Sequence, residues 1–486
     1  MQALLPDKIY VLSGSNINLM FLGVEFMTSW QENEASEKEV RTAREMAFDI
    51  LKEAEEKNFY LNLLLNKKLS AYKLSQPERN FLTELTYGVV QRLNTLDWVL
   101  SLYLKYPLKK LTPSIRIVLR IGVYQLLYLD RVPASAAVNE AVKMAHRYGH
   151  RGVAGLVNAV LRKVNVERDN LPWPERSKKD QFLSLYYSYP LWMIRRWMAN
   201  MGEEEVEAFC RTGNTVPPLT VRTNTMILGR EELKNILDDE GVETTNCIYA
   251  EEGLHLKLSR RLSELPSFQK GYFHIQGESS MLVSHLLNPQ PGEKILDLCS
   301  APGGKTTHLA TIMANQGNIL AGDIYSQRLK LVDEAARRQG LRIIQTEKID
   351  GRSVPPSMHD SFHRVLLDAP CSGLGVIRRK ADLKWRRQPD DINSLAALQL
   401  ELLKGAFKAL CPGGVLIYSA CTLEPEETRE VVESFLRLEE SAQRSVLSTL
   451  LPTGLKEEER EEGMVNLLPH RHDLDGFFIA RIRKKL

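Results

Sequence analysis

Two cysteines stand in two short loops, and each loop follows an apolar run that is typical of a buried strand. Cys371 belongs to the sequence DAPCS and Cys421 to the sequence SACT. A third apolar run leads into the sequence CSAPGGKT, which occupies residues 299–306. In an open parallel sheet, ligands bind at the carboxyl ends of the strands, so we expect the three loops to face one crevice. Two thiols beside a loop of this type favour covalent chemistry on a nucleotide base.

The glycine-containing loop at 299–306 admits three interpretations. Its ending, Gly-Lys-Thr, resembles a phosphate-binding loop, but Cys299 replaces the first glycine and Pro302 lacks an amide hydrogen that phosphate binding would use. An ordinary strand-to-helix turn explains the glycines and nothing else. A tight Pro-Gly-Gly turn also lets the backbone approach a ligand closely, which favours a site for the methionine end of S-adenosylmethionine.

Acidic residues at the ends of successive predicted strands support this cofactor. Asp323 ends the strand that follows the loop, and an acid about 20 residues past a glycine loop is placed to accept hydrogen bonds from ribose hydroxyls. Asp350 follows the next strand and is placed to meet the adenine edge. Asp368 ends the strand before Cys371. Acids at three strand ends in order predict a cofactor site along this edge of the sheet.

The chemistry of cytosine explains why a thiol is useful, because carbon-5 of the ring is a poor nucleophile. A thiolate that adds to carbon-6 turns the ring into an enamine, and carbon-5 then attacks an electrophilic methyl group. A base removes the carbon-5 proton and the thiol is expelled. The site must lower the pKa of the attacking thiol, and Lys305 or nearby arginines are candidates for this effect. The residues alone leave open which of the two thiols attacks.

The remaining cysteines fit core packing, since a small thiol is often buried. This interpretation applies to Cys210, Cys247 and Cys411, and we expect Cys299 to pack within the cofactor loop. Six cysteines in 486 residues do not form a disulfide framework, and no Cys-x-x-Cys pair indicates a structural zinc site. We therefore expect a reducing compartment and no metal.

The chain is long enough for three folded units. Helical spacing of apolar residues predicts an all-α domain over 38–168, after a poorly ordered extension over 1–37. Residues 169–276 combine linker helices with a small α+β module. Over 277–486 the alternation of patterns predicts an α/β, doubly wound parallel sheet, with strands at 294–298, 318–322, 342–346, 364–368 and 414–418. A late strand near 476–482 would form an edge hairpin.

The distribution of charge says more than the balanced total of +3. Residues 101–166 hold eleven Lys or Arg and two acids, an asymmetry that suits a phosphate backbone and is equally typical of a solvated helical surface. The segment 376–387 has six cations, one acid and Trp385, a mixture that favours contact with RNA over a plain surface helix. The moderately apolar residues 9–24 are too short to span a membrane.

Three motifs together resemble the Sun/RsmB family of 16S ribosomal RNA cytosine-5 methyltransferases. They are the cofactor motif at 296–306, the DAPCSG motif at 368–373 and the YSACTLEPEE motif at 418–427. The resemblance covers about 38–486, and 38–168 looks like the NusB-like RNA-binding domain fused to this family. The last motif commonly has Thr before its cysteine, where this chain has Ala420, so a hydroxyl beside the thiol is missing unless Ser419 substitutes.

The resemblance implies an enzyme that methylates carbon-5 of a specific cytidine in 16S rRNA through a covalent cysteine–cytosine adduct. Cys421 matches the nucleophile of the family and Cys371 the cysteine that assists product release, with Asp368 and Lys305 as further catalytic residues. The implied residues for binding S-adenosylmethionine are Cys299, Ser300, Ala301, Pro302, Gly303, Gly304, Lys305, Asp323, Arg328, Asp350 and Asp368. We expect a cytoplasmic monomer whose partner is 16S rRNA. The alternatives are a tRNA cytosine-5 methyltransferase and a NusB-like RNA-binding assembly factor.

Overall fold

The computed structural model describes residues 41–57, 60–258, 260–458 and 462–486, and the chain divides into two compact units. The first unit runs to Val216 and includes the later segment Arg379–Trp385. The second unit comprises Pro217–Arg378 and Arg386–Leu486. The extension predicted over 1–37 lies outside the described residues, and the domain boundaries drawn from the sequence stay predictions.

The first unit is helical, as its apolar spacing predicts. Its helices are α1 Ala43–Lys57, α2 Leu61–Ala71, α3 Gln76–Gln91, α4 Leu93–Tyr103, α5 Pro113–Tyr128, α6 Ala134–Tyr148, α7 Arg151–Glu167, α8 Lys179–Tyr186, α9 Leu191–Met201 and α10 Glu203–Thr212. Helix α5 is central, because it is buried around much of its circumference. Its first residue is Pro113, and the missing N–H does not weaken the helix because the first N–H groups of a helix have no partner within it. Pro133 separates α5 from α6, because proline cannot continue a helix.

Some of the basic side chains that were predicted to contact RNA instead form ion pairs inside this unit. Arg120 donates to Asp97 (2.7 Å) and to Glu55 (3.0 Å), and Arg116 also pairs with Glu55. These arginines connect α5 to α1 and α4 rather than facing solvent. An exposed group of lysines remains in the connection between α4 and α5, namely Lys105, Lys109 and Lys110.

The segment predicted to bind RNA through its cations and its tryptophan is partly buried. Lys384 is fully buried, and its Nζ donates to Asn214 Oδ1 (2.9 Å) and to the Ser188 carbonyl (3.2 Å). Trp385 donates its ring N–H to the Val90 carbonyl (2.7 Å). The prediction that these two side chains are available to RNA is therefore wrong, because the first unit uses them for packing.

The second unit begins with a four-stranded antiparallel sheet in the order β2-β3-β1-β4. Its elements are β1 Leu219–Thr223, α11 Arg230–Asp239, β2 Glu243–Asn246, β3 Gly253–Lys257, α12 Pro266–Gln269 and β4 Phe273–Ile275. The sequence predicts each of these strands except β2. That strand is polar and mostly exposed at the edge of the sheet, so it carries no apolar pattern.

The larger sheet has eight strands, with β10-β12-β9-β8-β5-β6-β7 in order and β11 also paired with β12. The elements are α13 Glu278–Leu287, β5 Lys294–Asp297, α14 Gly304–Ile312, β6 Asn318–Asp323, α15 Ser326–Gln339, β7 Ile344–Lys348, β8 Phe362–Asp368, α16 Leu383–Arg386, α17 Pro389–Ala409, β9 Leu410–Ala420, α18 Arg429–Leu438, β10 Ala442–Arg444, β11 Met464–Leu467, α19 Pro469–His472 and β12 Phe477–Lys484.

Strands β5 to β9 pair in parallel, as the alternation predicts, and the last three strands are antiparallel. The expectation of an edge hairpin at 476–482 is wrong, because β12 lies inside the sheet between β9 and the short strands β10 and β11. Strand β12 is apolar and buried along most of its length, which an edge position would not allow.

Helices cover both faces of this sheet, and strand β8 shows how. Val365 and Leu367 pack in one apolar cluster with residues of α17 and α18, whereas Leu366 packs in another with residues of α13 and α14. Successive side chains of a strand point to opposite faces, so the apolar run of β8 serves both layers. Within the part of the chain that the structure describes, no helix has the length and apolar character needed to cross a bilayer.

A buried arginine joins the small sheet to α14, the helix that follows the glycine-containing loop. Arg222 of β1 is fully buried, and it donates to the Gly304 carbonyl (2.8 Å), to Thr307 Oγ1 (3.1 Å) and to Gln339 Oε1 (3.0 Å). Burial lowers the pKa of Arg222 to about 9, so the guanidinium stays charged at neutral pH. The start of α14 is thus held by a side chain from another sheet.

We predict that Arg222→Met lowers the free energy of unfolding by about 3 kcal/mol or more, because several buried acceptors lose their donor at ~1–3 kcal/mol each. Chemical denaturation followed by circular dichroism measures this change. The matched control is Arg342→Met at an exposed arginine of the same unit, with an expected change within ~0.5 kcal/mol. Equal effects of the two substitutions would contradict the role given to Arg222.

Candidate active site

Strands β5, β8 and β9 are adjacent and parallel, so the loops that follow them leave the sheet at the same edge. Leu296 of β5 pairs with Val365 of β8, and Asp368 of β8 pairs with Ser419 of β9. This register brings together the three loops that the sequence singles out. The sheet topology alone therefore assembles the candidate site.

The two thiols meet above this edge. The Sγ atoms of Cys371 and Cys421 lie 3.3 Å apart, within hydrogen-bonding distance for sulfur, and both cysteines are partly buried thiols outside any disulfide. The hydrogen bond to Cys421, together with burial, raises the pKa of Cys371 well above its ordinary value.

Asp368 connects the cofactor loop to the thiol loops. One carboxylate oxygen accepts a hydrogen bond from Lys305 Nζ (2.7 Å), and the other accepts one from Ser419 Oγ (2.7 Å). The ammonium of Lys305 also lies 5.3 Å from the ring centroid of Phe477. Lys305 is thus paired with Asp368, and its expected effect on the pKa of the attacking thiol stays a prediction.

The glycine-containing loop is held tightly around its turn. Gly303 has φ of 102°, and a Cβ at this position would lie 3.0 Å from the backbone of Val332, so the turn requires glycine. Ser300 donates both its N–H and its hydroxyl to the Gly322 carbonyl, at 2.9 and 3.0 Å. Arg328 donates to the Ala301 carbonyl at 2.9 Å. These contacts attach the loop that follows β5 to the end of β6 and to the start of α15.

Asp323 lies at the end of β6 with its side chain almost fully buried. Its carboxylate accepts the N–H of Tyr325 (2.9 Å) and faces an Arg328 nitrogen at 3.2 Å. Asp350, beyond the end of β7, is more exposed and engages Arg352 through both carboxylate oxygens. This pairing lowers the pKa of Asp350. Both acids stand near the ends of neighbouring strands, and Asp350 must exchange Arg352 to meet a ligand.

Cys299 is the loop residue with the least direct part in the site. It packs against the apolar cluster beneath α17, and burial raises the pKa of its thiol. Pro302, in contrast, is exposed at the tip of the loop. The packing position of Cys299 agrees with the structural interpretation of this cysteine.

Asp297 is a site residue that sequence reasoning missed, although it ends β5 as Asp323 ends β6. The side chain is fully buried, and one oxygen accepts a hydrogen bond from Thr306 Oγ1 (2.7 Å). The other oxygen has no hydrogen-bond partner in the described structure. Burial is the main reason that the pKa of Asp297 rises to about 7. The pattern of acids at strand ends contained the signal for this residue.

Arg387 closes the Cys371 loop from the side of α17. Its guanidinium donates to the Ser372 carbonyl (2.7 Å) and to the Cys371 carbonyl (3.1 Å). Arg378, from the same basic segment, is buried and paired with Asp473 (2.8 Å). Arg387 thus supports the Cys371 loop, and the Arg378 guanidinium is engaged by a carboxylate.

Two groups with metal-ligand side chains lie elsewhere in the second unit. In one, a Glu252 oxygen lies 2.8 Å from His285 Nε2 and 3.0 Å from His308 Nε2, distances of ordinary hydrogen bonds. Burial lowers the pKa of His308 to about 3, so this imidazole is neutral. The other group comprises Cys247, His255 and Glu278. Hydrogen bonds among its own side chains explain the group of Glu252, His285 and His308 without a metal ion.

The fold and site define a methyltransferase domain that follows a NusB-like helical domain and a ferredoxin-like module. The model described as 16S rRNA methyltransferase RsmB/F matches residues 284–483. The NusB family model matches 41–166, and the model described as the RsmF/B-like ferredoxin-like domain matches 189–262.

Individual relatives agree with these matches. The probable ribosomal RNA small subunit methyltransferase B of Bacillus subtilis (strain 168) is 37% identical over 447 residues, which cover 91% of this chain and 99% of that protein. The crystal structure of PH0851 superposes with a TM-score of 0.77 at 27% identity, over 92% of this chain and all of that one. NSun6 from Pyrococcus horikoshii with SFG has a TM-score of 0.53 at 25% identity, over 60% of this chain and 97% of that one. The chain belongs to the RsmB/F family of 16S rRNA methyltransferases.

The buried Asp297 predicts a specific dependence of stability on pH. The unfolded carboxyl has a pKa near 3.8 and the folded one near 7, so the folded state holds the proton more tightly. The contribution of Asp297 is most favourable below about pH 4 and is lost as the pH rises to 7. Asp297→Asn should therefore gain stability relative to the wild type when the pH changes from 5 to 8.

Denaturation at both pH values measures this difference, and changes that do not depend on pH cancel. Asp390→Asn at an exposed position in the first turn of α17 serves as the control. A stability difference between wild type and Asp297→Asn that is the same at pH 5 and pH 8 would contradict the raised pKa.

Proposed function

We propose that this chain transfers a methyl group from S-adenosylmethionine to carbon-5 of a cytidine in 16S rRNA, through a covalent adduct on Cys421. The observation that carries this proposal is the pair of thiols 3.3 Å apart beside the Asp368–Lys305 pair. A single structural cysteine needs no such partner, whereas a covalent cycle needs one group that attacks and another that handles protons at release.

The residues around the glycine-containing loop fit the proposed cofactor. The Asp323 carboxylate suits ribose hydroxyls, and the unpartnered Asp297 oxygen offers a further hydrogen-bond acceptor at the same edge. Gly303 leaves room for backbone to approach a ligand. The related structure with SFG, an S-adenosylmethionine analogue, supports the same use of this domain. When bound, S-adenosylmethionine supplies the electrophilic methyl group.

Cys421 is proposed as the nucleophile because it holds the position of the nucleophile in the family motif at 418–427. The Sγ of Cys421 forms a bond to carbon-6 of cytosine, and the ring electrons shift to carbon-5, which takes the methyl group. A base then removes the carbon-5 proton, the electron pair reforms the ring double bond and the bond from carbon-6 to sulfur breaks. Cys371 stands beside the departing sulfur and assists this release by exchanging a proton with it.

Asp368 and Lys305 are proposed to orient the base. Aspartate accepts hydrogen bonds from the N4 amino group of cytosine, whereas uracil presents a carbonyl oxygen there, so a carboxylate favours cytidine. The bond from Ser419 holds the carboxylate in place. Lys305 balances the charge of Asp368 through their ion pair.

The proposed substrate is ribosomal rather than transfer RNA, because the relatives that share most of the chain carry the name of a small-subunit rRNA methyltransferase. The NusB-like domain presents an exposed lysine group at Lys105, Lys109 and Lys110, which suits phosphates. The target base must be unstacked to reach the thiols, so it is expected in a loop or flipped from a helix. The alternative of an inactive assembly factor does not explain an intact pair of thiols.

Cofactor binding should depend on Asp323. Asp323→Ala leaves ribose hydroxyls without an acceptor at a cost of ~1–3 kcal/mol, so binding of S-adenosylmethionine should weaken about tenfold or more. Isothermal titration calorimetry measures the affinity, and Asp360→Ala at an exposed acid is the control. Wild-type affinity in Asp323→Ala would remove this residue from the cofactor site.

Substitution of Cys421 and substitution of Cys371 should affect the reaction in different ways. Cys421→Ala cannot form the adduct and should be inactive without trapping RNA. Cys371→Ala should still attack and methylate but release poorly, so a covalent protein–RNA complex should accumulate as a slow band on a denaturing gel. Both outcomes follow from the separate steps assigned to the two sulfurs.

The control for this comparison is Cys411→Ala, which removes a thiol from β9 away from the site and should leave activity intact. Adducts in Cys421→Ala and none in Cys371→Ala would exchange the two roles. Full activity in both variants would exclude the covalent mechanism.

A further inference from the structure

We propose that Glu427 is a positioning residue that holds the two thiol loops at the separation the reaction needs. The inference rests on the proposed function, since it assigns a role within the covalent cycle. Glu427 lies in the short turn before α18 and is fully buried. In the described structure its side chain makes no hydrogen bond to the glycine-containing loop. Its side chain instead contacts the residues next to both cysteines.

The carboxylate of Glu427 joins the two loops directly. One oxygen accepts the backbone N–H of Ser372 at 2.7 Å, and the other accepts the hydroxyl of Thr422 at 3.2 Å. Ser372 follows Cys371 in the chain and Thr422 follows Cys421. One side chain therefore holds the residue after each thiol.

A second bond ties the same two residues to each other. The hydroxyls of Ser372 and Thr422 lie 2.9 Å apart. Either hydroxyl can be the donor in this contact. The three groups form a closed triangle beneath the thiols, and loss of the carboxylate leaves Thr422 free to turn.

The Cys371 loop is held on its other side through Gln399 of α17. The Gln399 amide donates to Glu427 (3.1 Å) and to the Pro370 carbonyl (2.9 Å), and Gln399 is itself fully buried. Pro370 and Ser372 flank Cys371 in the chain. Both neighbours of this cysteine are thus attached to one buried network centred on Glu427.

The backbone of Glu427 is fixed as well. The hydroxyl of Tyr418, which lies on β9 before Cys421, donates to the Glu427 carbonyl at 2.6 Å. The negative charge of Glu427 also contributes to the raised pKa of Cys371. The same residue therefore holds the loops and helps to keep the partner thiol protonated.

Two substitutions separate positioning from plain stability. In Glu427→Gln the amide can still accept from Ser372 and meet the Thr422 hydroxyl, so the geometry survives while the charge is lost. In Glu427→Ala both attachments are lost. We expect kcat to fall about 100-fold in Glu427→Ala, as a displacement near 1 Å can cause, and to stay within about tenfold of wild type in Glu427→Gln.

The assay uses the full chain, S-adenosylmethionine and transcribed 16S rRNA. The Kd for S-adenosylmethionine and the KM for RNA should stay within about threefold of wild type in both variants, because Glu427 touches neither the cofactor loop nor exposed surface. The yield of adduct with RNA that contains 5-fluorocytidine, whose fluorine blocks release, should fall with kcat in Glu427→Ala. Glu430→Ala, an exposed glutamate of α18, is the matched control and should retain full activity.

Thr422→Val provides a further variant if Glu427→Ala fails to fold, since valine keeps the shape and removes only the hydroxyl. A kcat reduced about tenfold with unchanged cofactor affinity supports the role of the network. Wild-type kcat in Glu427→Ala, or in Thr422→Val, would overturn it. A wild-type protein that forms neither 5-methylcytosine nor the fluorocytidine adduct would instead refute the proposed function, so the two failures are distinguishable.

Discussion

The in-register parallel pairing of β8 and β9 is the constraint on which the candidate site depends. Asp368 and Ser419 are partners in this ladder, and adjacent strands lie only about 4.8 Å apart. The loops that follow must leave the sheet side by side, and a cysteine shortly beyond each strand end brings the two sulfurs together. A register shift of one residue would turn Ser419 away from Asp368, because side chains alternate between the faces.

The same edge of the sheet concentrates carboxyl groups. Asp297, Asp323 and Asp368 end three adjacent strands, and each is held by a nearby donor or cation. Burial makes this arrangement costly, as the pKa of Asp297 shows. An anionic edge favours a sulfonium over the neutral thioether that remains after methyl transfer. Under the proposed function, the carboxylates of Asp323 and Asp368 would favour binding of the charged cofactor and departure of its neutral product.

The sequence predicts the elements and residues that have a local signature, and it misses those that arise from distant contacts. Apolar runs identify β5, β6, β8 and β9, and turn chemistry identifies the three loops. The strands β2, β10 and β11 are short or polar, so no period marks them. The interior position of β12 also depends on pairing that no local pattern encodes.

Side chains in polar networks were the hardest to predict for the same reason. Lys384 and Trp385 have the composition of an RNA-binding segment, and only the tertiary fold shows that they pack in the first unit. Arg222 and Glu427 look like ordinary charged residues until their buried partners are known. For Asp297 a signal existed, because this residue ends its strand as Asp323 does.

The arrangement of the thiols explains why the chain tolerates a buried glutamate beside them. Two sulfurs exchange a proton only when their separation stays near the length of a hydrogen bond, and loops are the most mobile parts of a fold. Backbone pairing fixes where the loops begin, but Cys371 and Cys421 lie beyond the last paired residues. A side chain that bonds to both loops supplies the restraint that the sheet cannot. Burial raises the pKa of Glu427, which is the energetic cost of placing this restraint where water cannot compete for its bonds.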